Sequence, residues 1–595
     1  MDAFKVIREG FSRQELLATT ITLSNYHRIQ ATEDLEDAAE YIYRTLKELK
    51  SFDAKILKYP YSASYGNLNP VVGWWVRDAE IRCLKPKEEL LHSFRVSRTL
   101  VVAHSPGGEV EAEVTYVGLG DRAKYYEGLN VNGKAVLVTG NTYLAYREAC
   151  RRGATAVLFY KEDAPYNAVP YLSLFLSPEE IKWAKALALS VSRKTVDELR
   201  HNLINGDKVV VKARVDAGYT NDAQINVVTA KLGDSPSEIH VFAHYCHAGG
   251  MVNDNASSAA LLIELCKVLN EAIDRGKLTL PKKHSIRLLW YPEYYGSTAY
   301  LTHNKEEIAF GVNLDMVGEK QEITNSTLCY VRPPPSLFHP HEALLYYELR
   351  KALSKASYTS PKKLIGIRFD TLTYEVGSDH DIYIAFGIPA VMINQWPDTY
   401  YHTDLDTIDK FDPDTSILIG SAVGASMYRA STNEVAKDLI ISYIFEYIGS
   451  ETHWVSDEIR SLRINYIYDK LSKKLTTYFD KINIAENLIP TETPLNKAED
   501  SGKRQKMYTY IGPSGIIDLR TIIKSLSEDE LDNILRNKNY VRTIIQGIIP
   551  MLLKSSKTIE QLRYEIIGEL GVSVESTELE RIVETLLKTK LIIEV

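Results

Sequence analysis

Two histidines and an acidic turn stand close together in one stretch of this chain. His244 and His247 end an apolar run, and Asp254 follows shortly before the apolar segment from 259 to 270. Imidazole and carboxylate groups are the ligands that borderline divalent cations such as zinc prefer. Because a loop at the end of a buried strand can bring several such groups to one point, this stretch predicts one half of a metal site.

Three more residues of ligand type also stand at the ends of apolar, strand-like runs. Glu293 follows the run from 286 to 292, Asp315 lies within the run from 310 to 318, and His402 lies in Tyr-His-Thr. Open α/β sheets bind ligands at the carboxyl ends of their strands. We therefore expect these residues to converge with the first stretch, and the combined set is what a two-metal hydrolase needs.

The elements that would position these residues can be read from the periodicity. From about residue 226 to 432, apolar strands alternate with helical segments such as 259–270 and 341–355. Near the amino terminus a helical pattern from Leu35 to Leu49 precedes a strand-like segment that begins at Ala54. This alternation predicts an α/β fold with a mostly parallel mixed sheet flanked by helices.

Five motifs in a fixed order carry a resemblance to a known family. They are Ala243-His244 to His247, Asp254-Asn-Ala-Ser, Pro292-Glu293, Asn313-Leu-Asp-Met-Val-Gly318 and Tyr401-His-Thr403. The chain resembles the M28 family of zinc amino- and carboxypeptidases, and Gly377-Ser-Asp-His380 with Gln395-Trp-Pro-Asp398 resembles one branch of it. The resemblance implies a zinc exopeptidase fold with two zinc ions per chain.

The resemblance also implies a role for most of the ligand-type residues. Asp254 matches the carboxylate that bridges both metals, and its peptide bond to Asn255 matches a cis bond. Asp315 matches a ligand of one metal, and His402 matches a ligand of the other. Either His244 or His247 matches the remaining histidine, depending on which version of the motif is aligned, and both stay candidates.

One departure from the family pattern concerns the glutamates. Most members have two adjacent glutamates, a general base and a metal ligand, whereas here Glu293 is followed by Tyr294. We assign the proton-transfer role to Glu293, which also stays a candidate ligand. Glu375 and Asp379 are the candidates to replace the missing ligand or to bind the free amine of a substrate. A one-metal site and an inactive relative are the alternatives.

The composition suggests four regions. Residues 1–96 and 219–432 are predicted to form the catalytic domain, and 97–218 form a β-rich insert that resembles a protease-associated domain and would limit substrate size. Residues 433–505 are predicted to be a helical segment and a linker. Residues 506–595 are predicted to form a winged-helix-like domain with a dimerisation or gating role, so we expect a homo-oligomer. A chain of 595 residues has ample length for several domains.

Charge and cysteine usage narrow the functional classes. The net charge of −8 gives no basic field for nucleic acid or anionic lipid. The segment from Met551 to Val595 has six basic residues against eight glutamates, which argues against DNA as its partner. Five scattered cysteines, no signal-peptide pattern and no apolar run of ~20 residues predict a cytoplasmic protein without a membrane span.

These observations favour a metal-dependent exopeptidase. The expected activity is that of an aminopeptidase, which removes amino-terminal residues from short peptides. A carboxypeptidase or another amide hydrolase on the same fold is the enzymatic alternative. A binding or regulatory protein that kept the fold without catalysis is the alternative from a different class.

Overall fold

The computed structural model describes residues 2–355, 358–360, 363–433, 435–478, 506–527, 530 and 542–595. The linker predicted at the end of the 433–505 region lies outside these ranges. Within them, no helix is both long enough and apolar enough to cross a membrane.

The strands belong to two large sheets and two small ones. They are β1 (Phe52–Pro60), β2 (Gly73–Lys85), β3 (Glu89–Ser93), β4 (Gly108–Leu119), β5 (Ala135–Thr139), β6 (Ala156–Phe159), β7 (Leu187–Ser190), β8 (Val210–Thr220), β9 (Gln224–Leu232), β10 (Ser237–His244), β11 (Ser285–Tyr291), β12 (Glu307–Asp315), β13 (Thr327–Val331), β14 (Tyr358–Ser360), β15 (Lys363–Ile365), β16 (Phe369–Leu372), β17 (Ala390–Trp396), β18 (Tyr508–Tyr510) and β19 (Ile592–Glu594).

The α-helices cover the main sheet and form much of the carboxyl-terminal region. They are α1 (Ala3–Gly10), α2 (Arg13–Asn25), α3 (Glu33–Leu46), α4 (Thr142–Arg151), α5 (Arg193–Ile204), α6 (Ser258–Asp274), α7 (Tyr295–His303), α8 (Gln321–Thr324), α9 (Pro340–Lys355), α10 (His380–Ala385), α11 (Pro413–Thr432), α12 (Lys437–Trp454), α13 (Asp457–Tyr478), α14 (Leu519–Ser525), α15 (Ile549–Leu552), α16 (Ile559–Leu570) and α17 (Ser576–Lys588).

The main sheet has eight strands in the order β1-β9-β11-β10-β12-β17-β13-β16. The centre is parallel, because β10 pairs in parallel with both β11 and β12, and β12 pairs in parallel with β17. The pairings β1–β9, β9–β11 and β13–β17 are antiparallel. The predicted class, a mixed α/β fold with a sheet flanked by helices, is confirmed.

Strand β10 shows how the sequence builds the centre of this sheet. Ile239, Val241 and Ala243 alternate along one face and pack into the core with α6, as period-two alternation requires. On the other face, Phe242 stacks on the ring of Tyr383, with 4.2 Å between ring centroids. Both faces of β10 are therefore buried. Only its carboxyl end, at the edge of the sheet, remains available for a binding site.

The second large sheet has seven strands in the order β3-β2-β8-β4-β5-β6-β7. Its strands run from Gly73 to Thr220 in the chain, so β2 and β3 precede residue 97, where we placed the start of the insert. Within the predicted β-rich insert, the segment from Thr99 to His104 forms only isolated bridges, at Val101 and Ala103, because its N–H groups bond to carbonyls of separate segments. The domain boundaries stay a prediction.

The carboxyl-terminal region packs against the main-sheet domain. Its strands β18 and β19 pair antiparallel, and its core includes Ile544, Ile545 and Ile548 together with Tyr374 and Ile384 of the preceding region. This shared apolar cluster fixes the region beside the carboxyl edge of the main sheet. The winged-helix assignment stays a prediction.

Candidate metal centre

The register of the central strands brings three predicted site residues to one edge. His244, the last residue of β10, lies opposite Tyr291 of β11, and Glu293 follows two positions beyond that strand. Asp315 is the last residue of β12, the neighbour of β10 on its other side. Parallel strands end on the same side of a sheet, so these three side chains converge as the sequence predicted.

Asp254 reaches the same edge from a tight turn before α6. The backbone N–H groups of Asn253 and Asp254 donate to the two carboxylate oxygens of Asp406, at 2.9 and 3.1 Å. The Asp254–Asn255 peptide bond is cis, as the resemblance implied. Asn255 then bridges to the end of β12, because its amide donates to the carbonyl of Leu314 and accepts from the N–H of Met316. These bonds fix Asp254 against the strand that ends in Asp315.

The two oxygens of Asp254 face different histidines. Oδ1 lies 3.5 Å from Nε2 of His244 and 3.4 Å from Nδ1 of His247. Oδ2 lies 3.0 Å from Nε2 of His402. A single carboxylate therefore stands between two clusters of nitrogen donors, which is the arrangement that a bridging ligand needs.

Two donor sets share Asp254. In the first, Nε2 of His244 lies 3.2 Å from Oδ1 of Asp315, and in the second, Nε2 of His247 lies 3.2 Å from Nε2 of His402. The ligand atoms of each set lie within 4.8 Å of one another, and His244, Cys246, His247 and Glu293 form a third such group. Both histidines left open by the sequence therefore lie in close donor groups and stay candidate ligands.

The chemistry of these donors fits zinc. Each set offers imidazole nitrogens and carboxylate oxygens, which are the common ligands of this ion. Nδ1 of His247 lies 2.9 Å from the carbonyl oxygen of Cys246, so the proton of this ring belongs on Nδ1 and the lone pair of Nε2 faces His402.

Cys246 supports His244 from behind. Its Sγ lies 3.6 Å from Nδ1 of His244 and accepts the N–H of Glu293 at 3.3 Å. The side chain is buried, and burial raises the pKa of the thiol. The contact orients the His244 ring with Nε2 toward Asp254.

Burial shifts the pKa of several groups at this edge. Burial raises the pKa of Glu293 to about 8, with smaller contributions that include Asp315 and Asp379, and burial also raises the pKa of Asp254. For His247, burial lowers the pKa to about 3. Burial would lower the pKa of His244 as well, but Asp315 and Glu293 outweigh it and hold that pKa well above its usual value.

The two carboxylates proposed to replace the missing glutamate lie apart from the donor sets. Asp379 is buried, and its Oδ1 accepts bonds from the N–H of Tyr294 and the hydroxyl of Ser297. Glu375 lines the cavity that opens onto the metal centre. Neither belongs to a close donor group among the described residues, so His247 is the better-placed replacement.

The structure adds residues that sequence reasoning missed. Tyr401 stacks on the His402 ring, with 3.8 Å between centroids, and its position next to His402 was the available signal. Tyr171, from the loop between β6 and β7, donates its N–H to the carbonyl of His402 at 2.7 Å and meets the rings of His247 and His402 edge-on. Nothing in the local sequence around Tyr171 points to this contact.

A cavity of about 290 Å³ is lined by His244, His247, Asp254, Glu293 and Asp315. Apolar side chains, Asn394, Tyr401, Glu375 and Arg542 of the carboxyl-terminal region also line it. The volume is near the lower end of the range usual for small-molecule sites, about 300–1,000 Å³. The arrangement therefore combines a candidate two-metal centre with space for a small polar substrate.

The fold and the donor sets are those expected of a metal-dependent hydrolase, and comparison with known proteins supports this class. The model of peptidase family M28 matches residues 226–427. This segment belongs to that family, and the match supports a metal-dependent peptidase. No curated protein sequence matches the chain.

Solved structures are similar to this chain at low sequence identity. An M28 peptidase precursor from Shewanella amazonensis superposes with a TM-score of 0.54 at 14% identity, over 73% of this chain and 96% of that one. A zinc aminopeptidase from Bacillus subtilis gives 0.49 at 19% identity, over 72% and 97%. An aminopeptidase from Aneurinibacillus sp. strain AM-1 gives 0.47 at 21%, over 73% and 97%. The first of these supports the fold.

Proposed function

We propose that this protein is a zinc aminopeptidase that removes amino-terminal residues from short peptides. The observation that carries the proposal is the position of Asp254, whose two oxygens face His244 and His402 on opposite sides. One ion would be held by His244, Asp254 and Asp315, and the other by His247, Asp254 and His402. His247 thus takes the ligand position of the family's second glutamate.

When bound, the zinc ions would polarise the scissile carbonyl and lower the pKa of a coordinated water. Asp254 would hold the two ion sites in a fixed position relative to each other, because its backbone is fixed by hydrogen bonds to Asp406. Cys246 keeps the His244 ring in the orientation that directs Nε2 to the centre. Tyr171 and Tyr401 pack on the His402 ring and restrict its rotation.

Glu293 is the proposed proton-transfer residue. Its carboxyl group lies half-buried beside the donor sets, and a raised pKa makes its carboxylate a stronger base toward a water molecule. In the reaction, Glu293 takes a proton from the attacking water and donates it to the leaving amine nitrogen. Its backbone is fixed by the bond from its N–H to Cys246, which supports a defined position for this transfer.

Glu375 is the proposed anchor for the substrate amine. It lines the cavity, whereas Oδ1 of Asp379 is occupied by Tyr294 and Ser297. Asp379 is therefore proposed as a positioning residue that holds the backbone after Glu293. Glu375→Ala should lower the rate for free peptides more than for amino-blocked ones, and equal loss on both would remove Glu375 from this role.

The deciding experiment is mass spectrometry of a mixed peptide set incubated with zinc-loaded and with chelated protein. Zinc-dependent shortening from the amino end supports the proposal. Shortening from the carboxyl end would instead identify a carboxypeptidase, and intact peptides in both samples would favour a binding protein. Metal analysis of the same samples counts the ions, which we propose to be two per chain. The cytoplasmic location and the homo-oligomeric state stay predictions.

A further inference from the structure

Arg542 is a cation from outside the M28 segment that lines the cavity above the metal centre. It is exposed and shares the cavity lining with His244, Asp254 and Glu293. The matched family segment ends at residue 427, so this arginine is supplied by the carboxyl-terminal region. The cavity wall therefore depends on a part of the chain that has no place in the family's motifs.

The position of Arg542 is fixed by the packing of the residues that follow it. Thr543 and Gln546 are buried, and the Gln546 amide donates to the carbonyl of Ile517 at 2.7 Å. Gly547 sits so close to Tyr374 that a Cβ atom there would lie 2.6 Å from the tyrosine oxygen. The turn that begins at Thr543 is thus held tightly against the peptidase domain, and Arg542 is directed to the cavity rim.

The guanidinium group is only partly used by the protein. Its Nε donates to Oε1 of Gln546 at 3.1 Å, and one terminal nitrogen lies 3.5 Å from the hydroxyl of Tyr294. Among the described residues, no carboxylate forms a salt bridge with it. An arginine has five N–H donors in a planar fork that matches a carboxylate, so most of this capacity is available to a ligand.

The charged and apolar groups around Arg542 in the cavity lining are suited to substrate binding. Glu375, the proposed anchor for the substrate amine, lines the same cavity as Arg542, so the two side chains offer opposite charges to the two ends of one substrate. The apolar part of the lining includes Val331, Leu372 and Met392. A cavity of about 290 Å³ with an acid, a cation and an apolar wall suits a small zwitterion.

We propose that Arg542 binds a substrate carboxylate and thereby selects short peptides. This inference rests on the proposed peptidase function and deepens it. In a short peptide the carboxylate is the carboxyl terminus, which lies within reach of the cavity when the amino-terminal residue is at the metal centre. An acidic side chain would offer the same chemistry, and the two sources can be separated by experiment.

The test uses the full-length zinc-loaded protein and one short peptide in three versions: the free acid, the carboxyl-terminal amide, and an amide with a glutamate side chain. Arg542→Gln should lower kcat/KM for the free acid about 10- to 100-fold, the range for hydrogen bonds to charged groups, and change the simple amide less than threefold. Arg542→Lys should give an intermediate loss, because it keeps the charge without the planar fork.

Arg581 provides the matched control, since it is exposed on α17 and does not line the cavity; Arg581→Gln should leave all three rates unchanged. A loss confined to the glutamate peptide would assign the carboxylate to a side chain. Equal losses on the three peptides, or none, would overturn the proposal, since Arg542 would then serve only the structure or the charge balance.

A binding measurement separates this inference from the proposed function. In the Glu293→Gln background, calorimetric titration with the free acid and with its amide should show tighter binding of the acid, and adding Arg542→Gln should remove that difference. If the wild-type protein cleaves no peptide, the proposed function fails while this titration still decides whether Arg542 binds a carboxylate. Equal affinities for acid and amide in the presence of Arg542 would overturn the inference.

Discussion

The two ends of strand β10 carry similar residue types in opposite electrostatic settings. At its start, Glu238 accepts bonds from Nε and one terminal nitrogen of Arg287 at 2.6 and 2.7 Å, and Lys231 lies 2.8 Å from it. His240 completes this cluster. At the carboxyl end of β10, Nε2 of His244 lies close to the carboxylates of Asp254 and Asp315. The ligand-type atoms of this group face one another.

The pKa values of two nearby glutamates differ accordingly: Glu238 lies at the start of β10, and Glu293 follows β11 at the edge where β10 ends. Burial would raise the pKa of Glu238, but the bonds from His240, Arg287 and Lys231 outweigh it and hold the pKa well below its usual value. For Glu293, burial dominates and raises the pKa to about 8. A buried carboxylate that is matched by protein cations is a structural group, whereas one left short of cations is suited to an external cation or to proton transfer.

Glu293→Gln should produce the largest change, at the carboxyl end. Removing the proton-transfer group is expected to lower kcat by about 10²- to 10⁴-fold, while the circular dichroism spectrum and the midpoint of urea unfolding stay near those of the wild type. Steady-state kinetics on one cleaved peptide measures the effect. Retention of more than a tenth of the wild-type kcat would contradict the assigned role.

Glu238→Gln should instead affect stability and leave the chemistry intact. Removing one partner of a buried ion pair typically costs about 3–5 kcal/mol, which urea unfolding can measure. Because the folded-state pKa of Glu238 lies below the usual 4.5, its contribution is complete above that value and is lost as the pH falls below it. The stability difference between variant and wild type should therefore shrink in acid.

Glu306→Gln is the control for this end of the strand. Glu306 also contacts Arg287, at 2.8 Å, but its side chain is 40% exposed. An exposed partner is expected to contribute no more than about 1 kcal/mol. A loss as large as that of Glu238→Gln would show that burial is not what distinguishes the pair.

Zinc binding should depend on pH in a way that reflects the raised pKa values at the carboxyl end. A protonated Glu293 must lose its proton for the centre to accept a cation next to it, so the apparent affinity should rise about tenfold per pH unit below pH 8 for each proton released. Calorimetry in buffers of different ionisation enthalpy counts these protons. An affinity that stays constant from pH 6 to 8 would contradict this coupling.

Cys246→Ala should give a small effect on zinc affinity. Groups that orient a ligand usually change metal affinity by about 10- to 100-fold, and a weak sulfur contact to Nδ1 of His244 places the expected loss near the lower value. Cys266→Ala is the control, because Cys266 is buried within α6, in the hydrophobic core. Competition with a zinc chelator compares the two variants, and equal affinities would remove Cys246 from its supporting role.

Much of the fold followed from local pattern. The helices predicted at 259–270 and 341–355 are observed as α6 and α9, and the strand predicted from Ala54 is observed as β1. The apolar positions of a helix or strand recur with a fixed period along consecutive residues, so a single sequence is enough to predict these elements. The residue at which the second sheet begins was harder to predict from the sequence. Strand β2 pairs with β8, which is distant in the chain, and no pattern in the residues around β2 indicates that partner.

The sequence by itself determined which residue types stand at the ends of the central strands, and so it predicted His244, Asp254, Asp315 and His402 as ligands. Tertiary structure alone decided that His247 lies beside His402, at 3.2 Å, and that Asp379 is bonded to the backbone after Glu293. It also placed Arg542 in the cavity lining. The physical reason is that strand ends are set by local alternation, whereas contacts between segments far apart in the chain depend on how whole elements pack.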